Sequence, residues 1–445
     1  MRQDKKFLSM VCNLAVPVAL QSMLQASFSI VDQIMIGQLG SVAVAGVGLA
    51  GKFSSIYSVL VSAIGAVAGI MISQYMGQQN KKEVRRSFRL NFILALGVAV
   101  IFTVVCMLCP NQIMGLYTTD VQTKEVAGRY LFLISGTYCM MAGATMFSVV
   151  FRCMEKATLP LVASIVAACL NTTLNYVLIF GKFGYFEMGV SGAAIATVIS
   201  QLVNLLIMAV LFVRHKECIS CEENEDKMPP FQWKQYGEML FPILVCELAW
   251  SLGENVYAVI YGRLGTDSCA AMTLINPVQS LMIGALCGLA QAAGVIIGKR
   301  LGNREYEEAY AEAKKLIWYG FIGSALLSVV ILMTRSVYVN IYQVEETVKL
   351  LTKQILFAYA LVAPFKVLNM ILGGGIIRSG GKTKYVMYID IIGTWIFGVP
   401  LGLWSAFALE LSIPYVYFIL SMEECVRFII SLFVLRKKSW MRSLD

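Results

Sequence analysis

A few residues with chemistry to offer stand out against long apolar stretches. Asp32 lies in Ser29-Ile30-Val31-Asp32-Gln33-Ile34-Met35-Ile36-Gly37 and, apart from Arg2, Asp4, Lys5 and Lys6, is the only charged residue before Lys52. Asn171-Thr172-Thr173-Leu174-Asn175 puts two amides one helical turn apart, and Thr197 starts a polar stripe that Gln201 and Asn204 continue. One carboxylate, two amide carbonyls and a hydroxyl are oxygen donors with a single formal charge. That set suits a small hard monovalent cation, and a desolvated carboxyl among amides equally suits a proton carrier. Asn and Thr also serve as hydrogen-bonding glue between membrane helices. The acid favours a functional reading, because an Asp within a span costs about 2.5 to 3.5 kcal/mol on insertion scales and glue needs no charge.

The elements that must carry these groups are membrane helices. Of 445 residues, 58% are hydrophobic and 14% charged, far outside the composition of a soluble domain. The net charge of +9 is spread in short runs between apolar segments, which is a topology pattern and calls for no nucleic acid. Arg2 to Lys6 precede an apolar stretch of about 25 residues, too long for a signal-peptide core, with no small-residue cleavage site after it, so it reads as a retained first span. The twelve cysteines are mostly single and within apolar segments, where they act as small hydrophobes instead of a disulfide framework. His215, Cys218 and Cys221 have a metal-like spacing, but with one His and no second pair chance is the better reading.

Segments long enough to span lie near 10–36, 46–74, 88–110, 127–151, 159–181 and 189–213, and again near 239–262, 270–298, 315–334, 351–377, 385–406 and 413–435. Helices are required because backbone in lipid must satisfy its own hydrogen bonds, and no short alternating barrel-strand pattern is present. The N-terminus and every second loop carry 26 Lys and Arg against 7 on the other side, which predicts cytoplasmic termini. Pro17 recurs as Pro242, Leu39-Gly40 as Leu264-Gly265, Gly77 as Gly302 and Arg152 as Arg378, at an offset of about 225. Six spans per half is an even number, so the repeat is parallel. The fold expectation is an all-α integral membrane protein: twelve transmembrane helices in two six-helix bundles, 1–213 and 239–445, joined by a cytoplasmic linker, 214–238.

With that orientation, Asp32, Asn175 and Thr197 fall at similar depth in the outer half of the first bundle, at about 1.5 Å per residue. Ser22, Gln25, Ser29 and Asp32 share one helix face, so Gln25 and Ser29 are candidate cleft residues. At the repeat offset Asp32 becomes Tyr257, and Asn171 and Asn175 become Phe397 and Leu401, so the second half lacks the set. It has other intramembrane charges: Glu247 and Glu254 on one face, Lys366, Asp390, and Glu423, Glu424 and Arg427. Glu424 and Arg427, three apart, are expected to neutralise each other. Asp390 is a further candidate cleft residue, expected to meet a nearby Lys or water. Glu247 and Glu254 read either as cleft-lining substrate contacts or as partners of Lys366. The 23 methionines and many aromatics suit a cleft that adapts to varied cations. Pro17 and Pro242 each remove a helix hydrogen bond and predict bends.

The chain resembles the multidrug and toxic compound extrusion (MATE) family along essentially its whole length. The resemblance rests on Val31-Asp32-Gln33-Ile34-Met35-Ile36-Gly37, Gln74-Tyr75-Met76-Gly77, Asn171 to Asn175 followed by Gly181-Lys182-Phe183-Gly184, and Gly189-Val190-Ser191-Gly192-Ala193-Ala194. It implies a cell-membrane antiporter without a cofactor that exports cationic amphiphilic molecules in exchange for Na⁺ or H⁺. Asp32, Asn171, Asn175 and Thr197 match the family's cation-site motif. Archaeal members carry an acid where this chain has Asn175, so the site here has one carboxylate and the ion stays open. The alternative is a lipid-linked oligosaccharide flippase of the same superfamily, which commonly has more spans and a cationic cleft. An enzyme lacks support: no metal-ligand pair, nucleophile motif or phosphate loop is present, and Gly373-Gly374-Gly375 reads as a close-packing or flexible point. A monomer is expected.

Overall fold

The structure is a computed structural model that describes residues 2–181, 187–215, 232–342 and 344–444. Cys218, Cys221, most of the expected linker and Lys182-Phe183-Gly184 lie outside the described residues. The described chain is helical: α1 Arg2–Gly37, α2 Ser41–Gly77, α3 Lys81–Leu108, α4 Pro110–Gly115, α5 Val121–Ile134, α6 Thr137–Cys153, α7 Thr158–Ile179 and α8 Gly189–Arg214. The second half follows with α9 Trp233–Arg263, α10 Thr266–Gly302, α11 Tyr306–Asn340, α12 Glu346–Asn369, α13 Lys384–Ile391, α14 Val399–Leu403, α15 Ile413–Ser421 and α16 Glu423–Arg436. π-Helical turns cover Met370–Ile377, Ile392–Gly398 and Trp404–Ala408.

Element boundaries reproduce the repeat. Adding 225 to the limits of α2 gives those of α10, and adding it to the starts of α3 and α5 gives the starts of α11 and α12. The first half breaks where its sequence demands. Pro110 has no N–H and disfavours helical geometry at Cys109, so α3 stops there; the equivalent Arg335 lets α11 run on. Ser135-Gly136 separates α5 from α6 with a 48° bend, whereas Ala360-Leu361 leaves α12 unbroken. Turns after α1 and α9 use Gly40 at φ +98° and Gly265 at φ +112°, a region closed to residues with a Cβ.

Among the described residues, the twelve expected spans appear as ten continuous apolar helices, the bent α5–α6 pair, and α15 and α16, which are separated at Met422. Both Pro17 and Pro242 are accommodated inside unbroken helices.

The chain forms two compact units. One comprises residues 20–72 and 79–228; the other comprises residues 1–19, 73–78 and 229–445. In the first, Phe147, Phe151, Ala163 and Met208 form a buried cluster against Phe88, Phe92 and Phe212, joining α3, α6, α7 and α8. In the second, the end of α2 crosses the end of α10 with backbone against backbone. A Cβ on Gly77 would collide with the Lys299 carbonyl, and a Cβ on Gly302 with the Gln74 carbonyl. Gln74 and Lys299 are themselves repeat equivalents, so the contact is reciprocal. The chain end packs onto the same place: Trp440 is fully buried, Leu444 N donates to Gln74 Oε1 at 2.7 Å, and Gln74 Nε2 donates to the Ser379 carbonyl at 2.6 Å.

Candidate functional site

Four helix ends in the first unit are pinned by one apolar cluster. Ile36 of α1, Ala43 of α2, Ile179 of α7 and Ala193 of α8 are buried together, with Met35, Leu39, Val47, Phe180 and Val190 packed around them. Three of the four site residues lie one helical turn away from a member of that cluster: Asp32 precedes Ile36 by four, Asn175 precedes Ile179 by four, and Thr197 follows Ala193 by four. Because α8 runs opposite to α1 and α7, all three displacements point the same way. The hydrophobic cluster therefore sets the polar groups at one level.

They meet there. Asn175 Nδ2 donates to Asp32 Oδ1 at 2.6 Å and also to Asn171 Oδ1 at 3.2 Å, while Asn171 Nδ2 reaches Thr197 Oγ1 at 3.4 Å. Thr197 in turn donates to the Ala193 carbonyl at 2.9 Å, which orients its hydroxyl. The Asn171 amide oxygen lies 3.1 and 3.2 Å from the two carboxylate oxygens of Asp32, a meeting of acceptors that either a cation or an amide turned over would relieve. Asn175 Oδ1 is buried with no hydrogen-bond partner. Asn171 is 9% exposed and Asn175 2%. A buried oxygen without a donor is costly, and a cation or proton shared with Asp32 is the chemistry this donor set fits.

Sequence spacing placed all four of these residues together. It missed Tyr130 of α5, which is buried within electrostatic reach of Asp32; Tyr130 lies on a separate helix, and no motif marks it. Gln25 and Ser29 are exposed and make no side-chain hydrogen bond to the site.

The acids of the second half have other partners. Glu247 Oε1 lies 3.5 Å from Arg378 and so does not pair with Lys366. Asp390 meets Arg427 at 3.9 Å, a cation from α16 instead of a nearby lysine. Glu424 and Arg427 do approach each other, at 3.9 Å, and Asn369 Nδ2 donates to Glu424 Oε2 at 2.8 Å. Arg427 Nη2 also donates to Thr394 Oγ1. Tyr257, the counterpart of Asp32, donates to Glu423 Oε2 at 2.5 Å. Glu254 lines a cavity with Lys366, and no ion pair to it is found among the described residues. Gly375 of the triglycine packs on the Ala290 carbonyl, which supports its close-packing reading.

Comparison with known proteins agrees with this architecture. The chain is 22% identical over 446 residues to the uncharacterised transporter YisQ of Bacillus subtilis, covering 99% of this chain and 96% of that one. It is 26% identical over 398 residues to the probable multidrug resistance protein NorM of Thermotoga maritima, covering 87% and 83%. The bent form of the Vibrio cholerae MATE transporter VcmN superimposes with a TM-score of 0.88 at 17% identity, covering 99% of this chain and 100% of that one. The family model described as MatE matches residues 17–177 and again 242–404, so each half of the repeat is matched separately. With both halves matched, the chain belongs to the MatE family, the multidrug and toxic compound extrusion family of membrane transporters, which are not enzymes.

Proposed function

We propose that this protein is a secondary antiporter of the cell membrane that exports organic cations by alternating access, driven by entry of Na⁺ or H⁺ at Asp32. The observation that carries this reading is a single carboxylate gathered with two amides and a hydroxyl from two other helices, with Asn175 Oδ1 buried among them without a donor. A monovalent cation or a proton neutralises Asp32 and satisfies these oxygens together. Thr197 completes the set. The charge bias of the loops supports cytoplasmic termini, and the repeat supports lobes at 1–213 and 239–445 working as one monomer.

Alternating access follows when the occupied and empty sites favour different packings of α1 against α7 and α8, since an ion shifts an equilibrium only by its differential affinity. The test is efflux of a cationic dye such as ethidium from proteoliposomes, driven in turn by an imposed Na⁺ gradient and an imposed pH gradient. Wild-type protein responds to one of them, which names the ion, and Asp32→Asn abolishes that response while still inserting. Unchanged efflux from Asp32→Asn removes the site assignment. Transport of a polyprenyl-linked sugar without cation-dependent dye exchange replaces the antiport reading with a flippase.

A further inference from the structure

On the side that the loop charges assign to the cytoplasm, some cations already have acids. Arg300 pairs with Glu305, Glu308 and Glu312, and Lys438 pairs with Glu307. Another set does not. In the second unit a cavity of about 580 Å³ lies where α9 and α13 begin, and its walls bring together Lys234 from α9, Lys382 and Lys384 at the start of α13, and Arg442 from the chain end. Against these four cations the described wall sets one acid, Glu238, and no ion pair to any of the four is found among the described residues.

These cations are held together by a frame. Thr383 Oγ1 donates to the Met239 carbonyl at 2.9 Å, tying the turn that carries Lys382 and Lys384 to the first turns of α9. The Arg442 carbonyl accepts from Gln74 Nε2 at 3.1 Å, and the Trp440 carbonyl sits where a Cβ on Gly380 would fall, so the chain end is laid against that same turn. Three separate stretches of chain are thus fixed around one concavity whose charge is unbalanced. Their mutual repulsion is relieved when an anion sits between them. The rim, by contrast, is apolar: Phe241 lines the cavity and is 66% exposed, and Trp233, just before Lys234, is 59% exposed, the aromatic placing expected where a helix enters the headgroup layer.

We propose that this cavity binds the phosphate headgroup of an anionic phospholipid of the cytoplasmic leaflet, its phosphate oxygens meeting Lys234, Lys382, Lys384 and Arg442 and its acyl chains lying against Phe241. Lysine brings three donors and arginine a planar fork, both suited to phosphate, and a basic pocket at the cytoplasmic ends of spanning helices is a recurrent form of lipid site. A soluble phosphate makes no use of the apolar rim. A zwitterionic lipid brings a cation of its own into the cluster. Because Arg442 belongs to the chain end that is hydrogen-bonded to Gln74 and Gln78, a bound headgroup also fastens that end onto the crossing of α2 and α10.

The test titrates purified full-length protein in a neutral detergent with phosphatidylglycerol, with phosphatidylcholine of the same acyl chains, and with inorganic phosphate. Bound lipid is counted by native mass spectrometry and the melting temperature is followed in parallel. Wild-type protein binds phosphatidylglycerol on the order of tenfold or more tightly than phosphatidylcholine and melts higher in its presence, and inorganic phosphate at the same concentration gives no such rise. The triple variant Lys234→Gln, Lys382→Gln, Lys384→Gln loses that preference. Lys81→Gln, Arg89→Gln, Lys156→Gln, which removes as much charge from the other unit, keeps it. Equal binding of the two lipids, equal loss in both triple variants, or a preference unaltered in the first overturns the proposal, and stabilisation by inorganic phosphate equal to that by phosphatidylglycerol overturns the lipid as occupant. Should the first triple variant fail to fold, Lys384→Glu, at an exposed position, takes its place, and an unchanged lipid preference in it overturns the proposal. No substrate or ion gradient enters this measurement, so failure of the antiport reading leaves it standing.

Discussion

Asn175 spends its amide N–H on Asp32 Oδ1 at 2.6 Å while its own oxygen, buried beside the same carboxylate, has no donor. The residue thus both anchors the acid and leaves an acceptor for whatever neutralises it. Asn175→Leu removes both functions. A hydrogen bond to a charged group is worth about 1.5 to 3 kcal/mol, so gradient-driven exchange is expected to fall by on the order of tenfold or more, measured in proteoliposomes with equal protein insertion. Exchange within twofold of wild type argues that Asn175 is structural only.

The apolar cluster above the site predicts an effect at a distance. Ile179 is fully buried and offers no polar atom from its side chain, yet it holds the end of α7 against α1 and α8. Ile179→Ala costs about 2 to 5 kcal/mol by lost burial and cavity formation, seen as a lower melting temperature. It also lets Asn175 shift relative to Asp32, so exchange weakens beyond what the stability loss explains. Ile179→Val, one methylene smaller, retains most of both.

Gly77 and Gly302 make a reciprocal pair, each against the carbonyl of the other's neighbour three residues back. Gly77→Val and Gly302→Val are expected to lower the melting temperature by similar amounts, since each forces the same two helix ends apart. Gly97→Val in α3, where an added Cβ meets nothing within 4 Å, is the control. A large difference between the first two variants contradicts the symmetry of the crossing.

Arg427 is 7% exposed and is the cation for both Asp390 and Glu424. Arg427→Met leaves two acids uncompensated in a membrane-spanning segment, at a cost of about 3 to 5 kcal/mol. The double variant Arg427→Met with Asp390→Asn recovers part of that loss in thermal unfolding. Full additivity of the two changes argues against the pairing.

Asp120 caps α5 by accepting from the Thr123 N–H at 2.8 Å, and its hydrogen bonds to Thr123 hold its carboxyl below the usual carboxylate range. A depressed carboxyl stabilises the fold above its unfolded value and loses that contribution as pH falls through the folded one. The start of α5 is therefore capped at neutral pH and frays only in strong acid. Exchange of the Thr123 amide, corrected for its intrinsic rate, rises on acidification in wild type and stays level in Asp120→Asn, whose amide oxygen caps without titrating.

Much of the architecture was legible in the sequence because it depends on local rules. Apolar length sets the spans, Pro110 stops α3, Gly40 and Gly265 turn the chain, and an offset of 225 recurs in helix boundaries to the residue. The meeting of four residues was legible for the same reason: Asp32, Asn171, Asn175 and Thr197 follow from helical spacing and a count of depth, both linear in sequence. What only the tertiary structure decided is which groups touch. Glu247 finds Arg378 across 131 residues, and Tyr257 finds Glu423 across 166. Such pairs depend on how one helix is rotated against another, which no single-helix periodicity encodes. The same holds at atomic scale in the first half, where the sequence named Asn175 but only packing determined that it turns its N–H to Asp32 and buries its oxygen without a donor.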